Sequence, residues 1–413
     1  MDNTVEAMSR LLNGMNASGR GDDTTALGFY DEVLQELPTS DTEPLMKIFW
    51  SLAAESKGNI LEKQGFHNEA KRQLDMATQA RESTIFEDKQ LEVQSYVETA
   101  ILYDASGQVD KAIACADKVN ASVIEDKEVA GDFCFAMAAI YSKRPETRGK
   151  SKKALLDAMS NLEKNEVSNI DKLIQVHEFL ARLSANDREE ASALCTSAWA
   201  RVERVGIEHV DLAILHPFCL YAFDTSPEKE ILAWHQHRAI LAERMLEVGY
   251  EPFGAANLYV IAKSIEFVTN LKENKPADAS LVSKCLKVFE NHPRVSITHL
   301  AFALWLQGYE LSKDSSWPTD CLNTKKAARL LKKAVHMLKD DGLSGTPVFA
   351  SAQGLIADTY FASEDYASAA TLYEEAKNIL TPSYASDNCL IQRYASKIEQ
   401  AQDILDMLVE TTL

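Results

Sequence analysis

One spacing returns along this chain and limits what it can fold into. Ala357 is followed three residues later by Tyr360, then by a polar break at Ser363-Glu364-Asp365. Tyr366 opens a second run, with Ala369 three residues on, Tyr373 four further and Ala376 three further. Steps of three or four put such residues on one face of a helix. The alanines let two helices approach closely, and the tyrosines fill the space between neighbouring pairs. The layout recurs at Gly58, Leu61, Gly65, Ala70, Leu74 and Ala77, and again at Ala100, Tyr103, Gly107, Ala112 and Ala116. Gly65 and Gly107 fall where one helix turns into the next, a position whose positive φ is cheap only for glycine. Gly21, Ala26, Tyr30, Val33 and Pro38 supply the second half of one more copy. Weaker copies lie at Ala138 and Tyr141 with Ala154, and at Ala327, Leu331 and Ala334.

A hairpin of two such helices cannot cover its own apolar face and must stack on a neighbour. Composition agrees with a helical array. Only 16 Gly and 11 Pro occur in 413 residues, too few for the turns of an all-β or Rossmann-type fold. Hydrophobic residues make up 46%, which argues against a long disordered tract.

The pattern resembles the tetratricopeptide repeat: a small residue, an aromatic, a glycine turn, then Ala, a large apolar residue and Ala. The copies ending at Ala77, Ala116 and Ala376 carry it best, over about residues 44–80, 91–120 and 349–382. Residues 165–292 carry it poorly; Ala191, Cys195 and Ala198 have the spacing, but the helix before them lacks the small–aromatic pair. Gly65 to Gly107 is 42 residues and Ala26 to Ala70 is 44. Both exceed the roughly 34 of the standard repeat, as in the longer-repeat members of the superfamily. The resemblance implies an all-α, right-handed superhelical solenoid of antiparallel helix pairs, one domain over 1–413. A capping helix over about 383–407 closes it, with Cys389, Ile391, Tyr394, Ile398 and Ile404 among polar residues. Two segments interrupt the repeats: the basic 142–151 and 311–323, which carries Trp317-Pro318.

Charge and chemistry narrow the function. A net charge of -19 disfavours nucleic acid and anionic membrane, both of which are held by Lys and Arg. The longest apolar stretch, Val210 to Phe223, contains Asp211 and His216 and is too short and polar to span a bilayer. No basic-then-apolar leader opens the chain, so a soluble, cytoplasmic or nuclear protein is expected. Seven cysteines at 115, 134, 195, 219, 285, 321 and 389 include no C-x-x-C pair, so neither a zinc site nor a disulfide framework is expected. His235 and His237, two apart on a helix, diverge by about 200° and do not form a metal pair. They are expected towards water or a neighbouring helix, with Trp234 in the core. Gly14 to Asp23 lacks the Lys of a phosphate loop and reads as a Gly-rich turn. No nucleophile elbow or protease-type cysteine is present. An enzyme is not expected, nor a cofactor or a metal.

The resemblance places ligand contacts on the inward face of the first helix of each pair. Position by position, that gives Glu55, Asn59 and Glu62; Gln94, Val97 and Asp104; Asp132 and Phe135; and Asp358. One subfamily grips acidic chaperone C-terminal tails with Lys, Arg and Asn at such places. Here Asn59 matches, but Glu55, Glu98 and Asp132 stand where a lysine, an asparagine and a lysine are required. A carboxylate ligand would meet repulsion. The expectation is a scaffold or adaptor holding a neutral or basic peptide or helix, with a structural subunit of a larger complex as the alternative.

Overall fold

The computed structural model describes residues 2–36, 44–84, 88–227, 230–269, 278–290, 292, 295–313, 318, 322–386 and 388–412. Among them are nineteen α-helices and no β-strand. They are α1 (Asp2–Gly19), α2 (Asp23–Glu36), α3 (Pro44–Lys63), α4 (His67–Glu82), α5 (Lys89–Ala105), α6 (Val109–Ala116), α7 (Lys127–Ser142), α8 (Arg148–Leu162) and α9 (Ile170–Leu183). Then follow α10 (Arg188–Val205), α11 (Leu212–Thr225), α12 (Ile231–Val248), α13 (Pro252–Thr269) and α14 (Ala279–Glu290). The last are α15 (Ile297–Leu311), α16 (Leu322–Asp340), α17 (Pro347–Ala362), α18 (Tyr366–Leu380) and α19 (Cys389–Thr412). The chain packs as two compact units, Met1–Asn186 and Asp187–Leu413. The change of unit falls inside the stretch where the repeat pattern is weakest.

In the first unit α1 packs on α2, α3 on α4, α5 on α6 and α7 on α8, with α9 following against α8. Gly65 and Gly107 turn the chain within their pairs at φ +84° and +75°. Asp88 and Asp126 start α5 and α7 by accepting hydrogen bonds from the Gln90 and Glu128 amides at 2.7 and 2.8 Å. Each cap satisfies an amide that the helix itself leaves unpaired, worth about 1 kcal/mol.

The pairs approach through positions with no side chain. A Cβ placed on Gly58 of α3 would lie 3.1 Å from Leu74 and 3.2 Å from the Ala70 carbonyl of α4. One placed on Gly131 of α7 would lie 2.7 Å from Leu162 and 3.4 Å from the Ala158 carbonyl of α8. In the second unit Gly308 of α15 repeats the arrangement against Leu331, at 2.7 Å, and the Ala327 carbonyl of α16, at 3.4 Å. In each case the partner helix offers an alanine and, one turn later, a leucine. Near the α7–α8 turn Ser151 Oγ donates to the Ala138 carbonyl at 2.8 Å.

The second unit keeps the helix pairing with α12 on α13, α15 on α16 and α17 on α18, and α19 covers α18. Ala357, Ala369, Tyr373, Ala376, Ile391, Tyr394 and Ile398 form one buried cluster there. Glu364 takes the turn position at φ +63° that glycine holds elsewhere. Between α10, α11 and α12 large rings join the buried alanines: Trp199, Phe218 and Trp234 are buried, with edge contacts to Trp234 at 6.2 Å. Both units are all-α, the first built of consecutive helix pairs and the second of pairs at α12–α13, α15–α16 and α17–α18 among further helices.

Several local expectations need correction. Gly14 is not in a turn: α1 runs through to Gly19, and only Arg20–Asp22 reverse the chain. The basic segment 142–151 is not a long loop, since Pro145–Thr147 form one 3-10 turn and Arg148 already begins α8. Of the two directions expected for His235, water or a neighbouring helix, it takes the second: it is buried against the Phe223 ring of α11 at 4.8 Å, and burial, with Arg238 nearby, pushes its pKa down to about 4. His237 lies over Trp199 at 4.4 Å. Pro38, Trp317 and Cys321 lie outside the described residues, as does most of the segment 311–323. Cys115, Cys134, Cys195, Cys219 and Cys285 are buried thiols, while Cys389 is exposed.

A change from glycine to a branched residue at the close approach overfills it, at about 1–3 kcal/mol. Gly131→Val is expected to lower stability to urea by that amount. Gly28→Ala, in a helix with nothing within 4 Å of the added carbon, is expected to raise it by about 0.5–1 kcal/mol. Urea unfolding followed by circular dichroism compares the two.

Candidate partner-binding face

Helices α3, α5, α7 and α9 are the first members of successive positions in the first unit, and long polar side chains tie them together. Arg81, near the end of α4, has a side chain only 1% exposed. Its guanidinium contacts Glu55 of α3 at 2.9 Å and Glu98 of α5 at 3.0 Å, and its Nε donates to Ser51 Oγ at 3.0 Å. Gln94 Nε2 donates to Glu98 Oε1 at 3.0 Å, one turn along α5. Lys143, just past α7, reaches back to Asp104 of α5 at 3.5 Å. Lys172 of α9 bridges two carboxylates of α7, Asp132 at 2.8 Å and Glu128 at 3.1 Å. One turn beyond Asp132 on the same face, Phe135 meets Phe179 of α9 edge-on, with centroids 6.1 Å apart. Both rings are half-buried.

The expected site residues thus divide. Glu55, Asp104, Asp132 and Phe135 make contacts between neighbouring helices, while Gln94 is exposed and bonds only to Glu98 of its own helix. Asn59 and Glu62 are exposed on α3, where Glu62 accepts from the His67 ring at 2.8 Å. Val97 is 2% exposed and belongs to the core with Ala100, Tyr103 and Ala112, so it has no surface to offer a ligand. Asp358, in the second unit, is equally unavailable. It is 5% exposed, accepts from Tyr373 Oη at 2.6 Å, and is paired with Arg393 at 2.6 Å. A carboxylate so placed holds α17, α18 and α19 together.

The sequence reading counted carboxylates and missed the cations that meet them. Arg81, Lys143, Lys172 and the Phe179 ring all lie outside the helices they touch, between 17 and 44 residues from the groups they meet. Two carboxylates still share Arg81, and two share Lys172, so each cluster keeps one uncompensated negative charge. Burial raises the Glu55 carboxyl above the usual carboxylate range, while Arg81 pulls it back.

No protein-family model matches this chain, and no curated protein matches it in sequence. Among solved structures, yeast Tom70 is similar at 12% identity, over 97% of this chain and 96% of that one, with a TM-score of 0.30. The TPR2AB domain of yeast Sti1 in its pHSP90 complex is 12% identical over 85% of this chain and 98% of that one, with a TM-score of 0.22. A chain of the Naa15/Naa10 structure with HypK-THB is 13% identical over 96% of this chain, with a TM-score of 0.22, and this chain spans 66% of its length. Among the described residues no helix is long and apolar enough to cross a membrane.

Removing Arg81 leaves two part-buried carboxylates facing each other, the situation in which a broken buried pair costs about 3–5 kcal/mol. Arg81→Leu is expected to lose that much stability at pH 7. A carboxyl whose folded pKa is raised stabilises the fold below its unfolded pKa and loses that contribution as pH rises through the folded value. Without Arg81 nothing holds the Glu55 carboxyl down, so the deficit of the variant should shrink as pH falls. Denaturant melts across the acid range, with Glu55→Gln as the milder comparison, measure it.

Proposed function

We propose that this chain is a non-catalytic scaffold or adaptor. It holds a neutral or basic segment of a partner protein against the α3–α5–α7–α9 face of its first unit. The observation that carries the reading is the Phe135–Phe179 pair beside a cluster of two carboxylates and one cation. Part-exposed aromatic rings anchor partner side chains, and a Lys or Arg of the partner gains both the ring faces and the surplus negative charge. Exposed amides at Asn59 and Gln94 add hydrogen-bonding groups for a peptide backbone. An acidic chaperone tail would be repelled by the same charges. A soluble protein of the cytoplasm or nucleus suits this role, with neither nucleic acid nor membrane as a partner.

A second reading, a permanent subunit of a larger assembly, has its own observation. Val5, Met8, Leu12 and Met15 are 70%, 49%, 47% and 50% exposed. Their steps of three and four make an apolar stripe along the outer side of α1. A stripe of this kind marks a contact surface.

Capture of partners from cell extract separates the two readings. Asp132→Lys combined with Phe135→Ala is expected to reduce recovery of the wild-type partners at least tenfold, while Met8→Glu with Leu12→Glu leaves it unchanged. The opposite pattern favours the assembly reading, and recovery indifferent to Asp132 and Phe135 refutes the proposed face. Glu55 is unsuitable for such a reversal, because a lysine there would oppose buried Arg81.

A further inference from the structure

The other side of α7 carries a trough of opposite character. Cys134, Met137 and Tyr141 line it, about 200° around the helix from the Asp132 and Phe135 positions. Its volume is about 670 Å³, bounded by the segment from Ala116 to Ser122, by α7 and by α8. Lys127, Lys150 and Lys153 line it with Asp157, and Asp117 beside it pairs with Lys150, so the lysines keep a surplus of one positive charge over these two carboxylates. The trough adjoins a basic part of the chain, since residues 143–153 contain six Lys or Arg and one Glu in a protein of net charge -19.

The lysines differ in how they are held. Lys150 Nζ sits on Asp117 at 2.7 and 2.9 Å and over the Tyr141 ring at 5.5 Å, so its position is fixed. Lys127 Nζ donates to the Ile124 carbonyl at 3.3 Å. Lys153 is exposed and makes no ion pair or hydrogen bond with the described residues. Each ammonium has three donors, so Lys127 and Lys150 keep donors free for a ligand. Between the charges the wall is apolar at Val119 and Met137.

We propose that this trough binds an extended acidic segment of another protein, its carboxylates on Lys127, Lys150 and Lys153 and its apolar side chains against Val119 and Met137. From Lys127 to Tyr141 the helix rises about 21 Å, which accommodates roughly six residues of extended chain. Charge complementarity selects an acidic peptide. Nucleic acid is disfavoured because a row of phosphates needs more cations than three lysines beside Asp157, and the rest of the chain repels it. The site is on a different face from the proposed scaffold surface and takes the opposite charge.

A display library of random ten-residue peptides, selected on the full chain, tests the proposal. The enriched sequences should be rich in Asp and Glu with apolar residues between them. In fluorescence anisotropy the leading peptide should lose at least tenfold in affinity for Lys127→Glu combined with Lys153→Glu. Both sites are exposed, and a circular dichroism melt checks that the variant folds. Asp132→Lys should leave the affinity unchanged, which separates this site from the other face. Enrichment of non-acidic sequences, affinity indifferent to the two lysines, or displacement of the peptide by short single-stranded RNA would overturn the proposal.

Discussion

Everything in these units depends on how closely the two helices of a pair can lie. Where Gly58, Gly131 and Gly308 face an alanine carbonyl and a leucine one turn on, the backbone of one helix occupies space that a side chain would otherwise fill. Glycine inside a helix costs about 1 kcal/mol relative to alanine, so its presence there needs a compensating contact. The compensation is dense packing of the leucine and alanine beneath it, since interiors tolerate neither voids nor overlap. With pairs this thin, their outer faces are broad, and neighbouring pairs must cover them.

Polar contacts then fix neighbouring pairs to one another. Arg81 of the second pair touches Glu98 of the third, and Lys172 of α9 touches α7. Being nearly excluded from water, Arg81 has little freedom to choose other partners, so it sets the relative placement of α3 and α5 as well as joining them. The same contacts shape the surface. Carboxylates that look like an open acidic groove in the sequence are largely matched, leaving a face with modest surplus charge and two aromatic rings. On the far side of α7 the balance reverses, and the lysines of α7 and α8 dominate.

The helix pairing was legible because it rests on local periodicity: Ala70, Leu74 and Ala77, or Ala369, Tyr373 and Ala376, announce a buried face within a few turns. The turn glycines at 65 and 107 were legible for the same reason. Gly131 with Ala158 and Leu162, and Gly308 with Ala327 and Leu331, were harder to find. Their spacings of 27–31 and 19–23 residues differ from the 12–16 that join Gly58 to Ala70 and Leu74, so a fixed-spacing pattern passes over them. Part of the candidate face was legible, since residues on the outside of first helices follow from the repeat. Arg81 and Lys172 were not, because their side chains act on helices one pair away and nothing in the local sequence marks them. Val97 and Asp358 show the converse. A position inherited from a repeat pattern does not say whether a side chain points at solvent or at its neighbours, and only the packing decides that.

The close approach itself is tested most directly by exchanging size across it. A cycle of Gly131→Val, Leu162→Ala and the double variant, each unfolded in urea, measures whether the two positions share one space. The account predicts that the double variant recovers much of what the single changes lose, with a coupling of about 1 kcal/mol or more. Losses that simply add would mean that the two side chains do not compete for the same volume, and the helix pair would not be held as described.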